Sequence, residues 1–208
     1  MWLKEKMITI IDYGMGNLRS VQKAFERISA PVNISASVND IQSADKLVLP
    51  GVGHFEKGVV NLKETGLFEV LNQIVLERKK LILGICLGMQ LMTEFSEEGN
   101  CKGFGWIQAK TQRFVFKSNG LKIPHMGWNN LSIKNTDSLF KGMTVDNFFY
   151  FVHSYYVSCG NENDVLTETN YGNKFVSSFQ KENIFGCQFH PEKSHDAGLK
   201  VLSNFVNL

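Results

Sequence analysis

The feature that most constrains this chain is Leu81-Ile82-Leu83-Gly84-Ile85, five mostly apolar residues followed by a cysteine between glycines, Cys86-Leu87-Gly88, and then Met89-Gln90. A short apolar run with no polar alternation reads as a strand buried on both faces, and the apolar run after it reads as a helix. A cysteine at a tight strand-to-helix turn is pushed out where a substrate can reach it, and Gly84 and Gly88 remove the Cβ atoms that would block the approach. The helix opening at Leu87 aims free N–H groups and the positive end of its dipole at Cys86, which favours thiolate over thiol. The Leu87 N–H is then a candidate donor to an oxyanion. Taken alone, the same letters also describe an inert core cysteine beside a glycine turn, so the rest of the chain has to decide.

The chain has 208 residues, 43% hydrophobic and 20% charged, which suits one packed α/β domain spanning 1–208. Its formal charge of +2, from 22 basic and 20 acidic residues, gives no electrostatic case for nucleic acid or an anionic membrane as a partner. The start, Met1-Trp2-Leu3-Lys4-Glu5-Lys6, is short and mixed in charge, unlike a signal or transit sequence, and no apolar run reaches the ~20 residues of a membrane helix, so a cytoplasmic location is expected. Cys86, Cys101, Cys159 and Cys187 form no C-x-x-C pair and no cluster with histidine. Neither a metal site nor a disulfide framework is expected, and one reactive cysteine among inert ones is the simpler reading.

In chain order, Met7–Ile11 is a first strand, and Asp12-Tyr13-Gly14-Met15-Gly16-Asn17 leads into a helix with Leu18, Val21, Phe25 and Ile28 on one face. That glycine turn lacks the full dinucleotide fingerprint, leaving a loop that faces a partner or a substrate. Val32, Ile34 and Ala36 alternate in a second strand, 39–45 reads as a short helix or turn, and Leu47–Leu49 forms a third strand ending in Pro50-Gly51-Val52-Gly53-His54-Phe55. Glycines directly after a parallel strand free backbone N–H groups to point at a ligand, although an ordinary tight loop has the same composition. Helices over 55–63 and 67–77 precede the elbow strand, so the order implies a mainly parallel sheet covered by helices, with its ligand edge at the carboxyl ends of the strands.

Beyond the elbow the pattern changes. Residues 96–105 read as a loop; 108–116 and 121–124 read as a hairpin about Lys117-Ser118-Asn119-Gly120; and Pro124-His125-Met126-Gly127-Trp128-Asn129 reads as an interruption. Further strands are expected over 147–154, 165–169, 175–180 and 184–189, with a turn at 170–173 and a closing helix carrying Leu199, Leu202, Phe205 and Val206. The last strand runs into His190-Pro191-Glu192-Lys193, where the proline fixes the turn and Glu192 either turns back to the imidazole or serves as a first-turn acid on the helix dipole.

A thiol in an elbow, a rigidly held imidazole and a carboxylate to orient it are the parts of a Cys-His-Glu triad, with Cys86 as nucleophile, His190 as base and Glu192 as its partner. Gly84-Ile85-Cys86-Leu87-Gly88-Met89-Gln90 with His190-Pro191-Glu192 resembles the class I (triad) glutamine amidotransferases. Together with Asp12–Asn17, Pro50–Phe55, Pro124–Asn129 and Lys193-Ser194, all in register from about Met7 onward, the motifs look like those of the glutaminase subunits of imidazole glycerol phosphate synthase.

That resemblance implies a flavodoxin-like, mainly parallel sheet flanked by helices, with an added antiparallel region in the C-terminal half. It implies hydrolysis of L-glutamine to glutamate and ammonia without a cofactor, Gln90 helping to seat the glutamine, and Gly51, Val52, Gly53 and Leu87 forming the oxyanion site. It also implies that Asn17, Trp128, Tyr150 and Lys193 face a (β/α)₈-barrel cyclase in a heterodimer. That partner would take the ammonia through an internal channel to make imidazole glycerol phosphate and AICAR in histidine biosynthesis. Such a subunit is expected to be slow alone and stimulated in the complex, and a turn of one peptide around Val52 is a physical means of gating it. Similar subunits serve synthases that amidate nucleotide-linked sugars for surface polysaccharides, so this acceptor stays open. A non-catalytic interaction subunit would have no use for all three triad residues. A cysteine peptidase or other hydrolase would leave Gln90, the Pro50–Gly53 strand and Lys193 without a role.

Overall fold

The computed structural model describes residues 6–116 and 120–208. In the first half the elements follow the expected order: β1 (Ile8–Ile11), α1 (Leu18–Arg27), β2 (Val32–Ser35), α2 (Val38–Ser43), β3 (Lys46–Gly51), α3 (Phe55–Glu64), α4 (Leu67–Asn72) and β4 (Leu81–Cys86). A π-helical turn, Gln73–Glu77, continues α4. The four strands lie parallel in the order β2-β1-β3-β4. Because successive side chains of a strand point to opposite faces, one unbroken apolar run feeds two cores. Leu47, Leu49 and Ile82 pack with the α3–α4 side chains Phe55, Leu62, Leu67 and Leu71, while Val48, Leu83 and Ile85 pack with Val21 and Phe25 of α1. No helix among the described residues is long and apolar enough to cross a membrane.

The second half comprises α5 (Leu87–Leu91), β5 (Thr93–Ser96), β6 (Cys101–Lys102), β7 (Ile107–Arg113), β8 (His125–Asn130), β9 (Ser132–Ile133), β10 (Phe148–His153), β11 (Tyr155–Cys159), β12 (Val165–Tyr171), β13 (Asn173–Lys181), β14 (Ile184–Cys187) and α6 (His195–Val206). α6 covers the α1 face through Val201, Leu202 and Phe205. The antiparallel region continues the parallel sheet. β14 pairs parallel with β4 on one side and antiparallel with β13 on the other, and the sheet runs on through β11, β7, β5 and β6. β8 and β10 form a separate antiparallel ribbon.

Several local expectations fail here. Residues 121–124 are no strand, and β7 finds its partners at long range in β11 and β5. Lys117-Ser118-Asn119 of the expected turn lie outside the described residues, as does most of the Met1–Lys6 start. The stretch expected to interrupt the strands is itself a strand: His125 is buried, Met126 and Trp128 are exposed, and β10 supplies the pairing that local sequence cannot reveal. The helix after the elbow ends at Leu91, where the Thr93 hydroxyl donates to the Gln90 carbonyl and the chain turns into β5. The loop expected over 96–105 contains β6, which pairs back on β5.

Candidate functional site

Three strand ends meet at one point. The register places Gly51 of β3 opposite Cys86 of β4 and Cys187 of β14 opposite Ile85, so Gln188 follows beside Cys86. Cys86 has φ +52° and ψ −109°, a backbone that side-chain-bearing residues rarely adopt. Such strain, typically ~1–3 kcal/mol, persists only where the surrounding structure imposes it, and it turns this side chain out of the sheet.

The flanking glycines work differently from the sequence expectation. A Cβ on Gly84 would lie 2.7 Å from the Met89 nitrogen and 2.8 Å from the Gly88 carbonyl, and one on Gly88 would run into the Leu49 carbonyl of β3. Their bareness lets α5 sit directly on the strands, and that contact forces the elbow; clearing a path for a ligand is secondary.

His190 and Glu192 come from the β14–α6 connection. His190 Nδ1 is 2.8 Å from Glu192 Oε1, and both side chains are 2% exposed. The backbone is pinned as well: His190 N–H donates to the Tyr150 carbonyl, and the Ser194 hydroxyl donates to the His190 carbonyl while accepting from the Tyr150 N–H. His190 Nε2 has no hydrogen-bond partner and is turned toward the Cys86 sulfur. Burial pulls the imidazole pKa down, but the nearby Cys86 sulfur and the Glu192 carboxylate outweigh it and raise it above the ordinary histidine value. The arrangement places an imidazole that holds its proton beside the Cys86 sulfur, with Glu192 fixing the ring's orientation through Nδ1. This can carry out nucleophilic attack followed by proton return to a leaving amine.

Beside the sulfur lies a cavity of about 290 Å³ lined by Val52, Gly53, Cys86, Leu87, Gln90 and Glu98 on one side and by Pro124 and the 152–155 segment on the other. Of the loop after β3, Val52, 41% exposed, and Gly53, with φ +114°, line the cavity. Gly51 itself packs behind, where a Cβ would meet the Tyr13 hydroxyl at 2.5 Å and Leu87 Cβ at 2.9 Å. That hydroxyl is buried and unpaired, and burial, then the Cys86 charge, raises its pKa.

Two residues here escaped the sequence reading. Gln188 is fully buried, donates to Cys86 Sγ at 3.6 Å and accepts from Gln90 Nε2 at 2.9 Å. Glu98 is the single carboxylate of the cavity lining and also accepts from the Phe55 N–H. Gln188 sits two residues before His190 and was open to inspection; Glu98 lies in a stretch that reads as loop, and nothing local marks it.

The expected partner-facing residues lie on one edge. Tyr150 and Trp128 are register partners across the ribbon, Lys193 Nζ lies 5.6 Å over the Tyr150 ring, and Trp128 stacks on His195 at 5.0 Å. Met126, Trp128 and Phe148 are exposed at 61, 47 and 55%. Asn17 is exposed at the start of α1, where its side chain caps the helix through the Ser20 N–H. Helix α1 packs against the turn that carries Lys193.

The model of the family described as glutamine amidotransferase class-I matches residues 9–208. The chain belongs to the class-I glutamine amidotransferase family. Among its relatives in that family, "Imidazole glycerol phosphate synthase subunit HisH 1" of Campylobacter jejuni is 53% identical over 97% of this chain and 100% of its own length. "Imidazole glycerol phosphate synthase subunit HisH 2" of Methanococcus maripaludis is 49% identical over 96% and 98%, and the HisH 2 subunit of Pseudomonas aeruginosa is 44% identical over 97% and 100%. Solved structures share the fold at low identity. A chain of PurLQS from Thermotoga maritima superposes with TM-score 0.75 at 20% identity, covering 98% of this chain and 99% of that one. The glutaminase domain of Trypanosoma brucei CTPS superposes with TM-score 0.68 at 17% identity, covering 97% and 93%.

Proposed function

We propose that this amidotransferase chain hydrolyses L-glutamine with Cys86, His190 and Glu192 and delivers the ammonia to a cyclase subunit of imidazole glycerol phosphate synthase. The observation that carries the chemistry is the strained Cys86 beside an imidazole whose far nitrogen is held by Glu192 at 2.8 Å. The Cys86 thiolate attacks the side-chain carboxamide carbon, and the oxyanion accepts from the Leu87 N–H and from the loop after Gly51. His190 Nε2 gives its proton to the departing nitrogen, ammonia leaves, and a thioester remains. Water, deprotonated by His190, then releases glutamate and restores the thiol. In the lining, the Glu98 carboxylate suits the substrate's α-ammonium, and Gln90 Oε1 can accept from a substrate N–H.

The partner assignment rests on the relatives' names and on the ribbon. Met126, Trp128 and Phe148 are apolar, exposed and close together on β8 and β10, and Lys193 is exposed beside them, a composition that suits a protein interface. A second reading keeps the glutaminase and changes the acceptor to a nucleotide-linked sugar on a different synthase. It is favoured by one observation: the three relatives quoted carry numbered names, HisH 1 and HisH 2, as organisms with more than one such subunit would require.

The test is glutamate release from L-glutamine by the chain alone and with a candidate cyclase and its ribonucleotide ligand, with Cys86→Ala as control. Stimulation that vanishes in the variant supports chemistry and partner together. If the cyclase gives no stimulation while Cys86 still reacts with a glutamine analogue, the acceptor is wrong and the sugar-amidating reading takes its place.

A further inference from the structure

His125 and His153 form a register pair across the β8–β10 ribbon, are 3% and 6% exposed, and are absent from the chemistry above. Their hydrogen bonds allow one assignment of protons. The Tyr155 carbonyl can only accept, so at 2.7 Å it takes the proton on His153 Nδ1. His153 Nε2 is then bare and accepts, at 3.0 Å, from His125 Nδ1. His125 Nε2 is bare in turn and accepts from Asn129 Nδ2 at 3.3 Å, while the same Asn129 amide donates to the Asn170 carbonyl at 3.0 Å. Every donor in this chain points the same way, from the exposed ribbon inward. Phe114, Phe151, Phe175 and Tyr171 pack around the two rings, which leaves the donor chain few alternative partners.

The chain ends on an atom that matters. The Tyr155 carbonyl also accepts from Gln90 Nε2 at 3.0 Å, and Gln90 Nε2 gives its second hydrogen to Gln188 Oε1 at 2.9 Å. Both amide hydrogens of Gln90 are therefore committed to acceptors, which orients Oε1 as the end left for a ligand in the cavity that Gln90 lines. His153 and Tyr155 line that same cavity; His125 does not.

We infer that His125 and His153 are positioning residues for glutamine, the pair of neutral imidazoles fixing the Tyr155 carbonyl and through it the acceptor oxygen of Gln90. The inference rests on the glutaminase reading. Burial lowers the pKa of both rings, His125 to about 4 and His153 to about 3, which keeps the donor chain intact at neutral pH. A proton on His153 Nε2 would face the His125 Nδ1–H and break it.

The experiment measures KM and kcat for L-glutamine in the cyclase complex, and the rates at which Cys86 of the free chain is labelled by a glutamine-shaped diazoketone and by iodoacetamide. In His153→Phe, which keeps the ring volume, KM and the half-saturating diazoketone concentration rise about tenfold, the loss of one hydrogen bond's worth of ordering, with kcat within about threefold and iodoacetamide labelling unchanged. In His153→Asn, whose Nδ2 replaces the imidazole Nδ1, most of that rise is recovered. In His125→Phe, which removes no atom from the cavity wall, KM rises about threefold. Two outcomes overturn the inference: His153→Phe with an unchanged KM, or His125→Phe with none of the effect of His153→Phe, which would reduce His153 to a lining residue. A wild-type chain that neither hydrolyses glutamine nor takes the diazoketone overturns the glutaminase reading itself, and the inference falls with it.

Discussion

Gly84→Ala separates the two things the elbow glycines do. The new methyl carbon would lie 2.7 Å from the Met89 nitrogen and 2.8 Å from the Gly88 carbonyl group, whereas ordinary contact begins near 3.4 Å. All of these neighbours are backbone, so no side chain can rotate away. α5 must lift from β4 by roughly 0.7 Å, and overpacking of this kind costs about 1–3 kcal/mol. The same displacement carries the Leu87 N–H and the Cys86 sulfur out of line with His190, and misplacements approaching 1 Å cost on the order of 10²-fold in rate. Gly66→Ala is the control. Gly66 has φ +72° with nothing within 4 Å of the added carbon, so only the left-handed backbone is penalised, at about 1–2 kcal/mol. Urea unfolding should show comparable losses of stability for the two variants. Glutaminase assays on the folded proteins should show kcat reduced about 10- to 100-fold for Gly84→Ala and unchanged for Gly66→Ala. Wild-type kcat in Gly84→Ala would refute the account of the elbow as a backbone-on-backbone contact.

Glu192→Gln keeps the shape beside His190 but removes the charge, and by analogy with other triads kcat should fall by about 10³-fold or more, with iodoacetamide alkylation of Cys86 at neutral pH also slowed; equal alkylation rates would mean that Glu192 does not support the ion pair. Tyr13→Phe removes a buried hydroxyl with no partner and should stabilise the chain by about 1 kcal/mol in urea, while a loss would reveal a hidden partner. Val52→Pro deletes the N–H that a turned peptide would offer to the oxyanion, and stimulation by the partner should disappear; unchanged stimulation would show that no such turn is needed. Acid should destabilise the His125–His153 region. Burial depresses both pKa values, so the unfolded chain binds protons that the native chain refuses, and stability present above pH ~6.5 falls as pH drops toward 4, by at most ~3 kcal/mol per ring. His190, its pKa raised, works the other way: the native ring keeps a proton that the unfolded chain gives up above pH ~6.5, so His190 adds stability as pH falls and cannot cause the loss. The double variant His125→Phe/His153→Phe should therefore show the shallower fall between pH 7 and pH 5.

Much of the chemistry was legible because it is local. Gly84-Ile85-Cys86-Leu87-Gly88 states its own geometry: a buried run, a residue forced into a turn and a helix end are all consequences of consecutive residues. His190-Pro191-Glu192 likewise encloses its ion pair within one turn, and the alternation of strands and helices up to Cys86 implies the parallel sheet and its ligand edge. What failed was pairing at long range. Residues 121–124 and 125–130 have similar short, mixed compositions, yet only the second is a strand, because only β10 lies beside it. β7 carries clear alternation, but its partners are 155–159 and 93–96, which no turn signal announces. The same reason hid Glu98 and the role of the two buried histidines, and it withheld the partners of Gln188. Each is an unremarkable polar residue until distant elements bring Glu98 to Phe55, Gln188 to Cys86 and His125 to His153, and the free energy of a buried polar group depends on that partner and not on its neighbours in sequence. The sequence alone determined the Cys86 elbow, the His190–Glu192 turn and the sheet that presents them; the tertiary structure alone decided how the cavity beside them is wired, because that wiring is made of contacts between residues as far apart as Gln90 and Gln188.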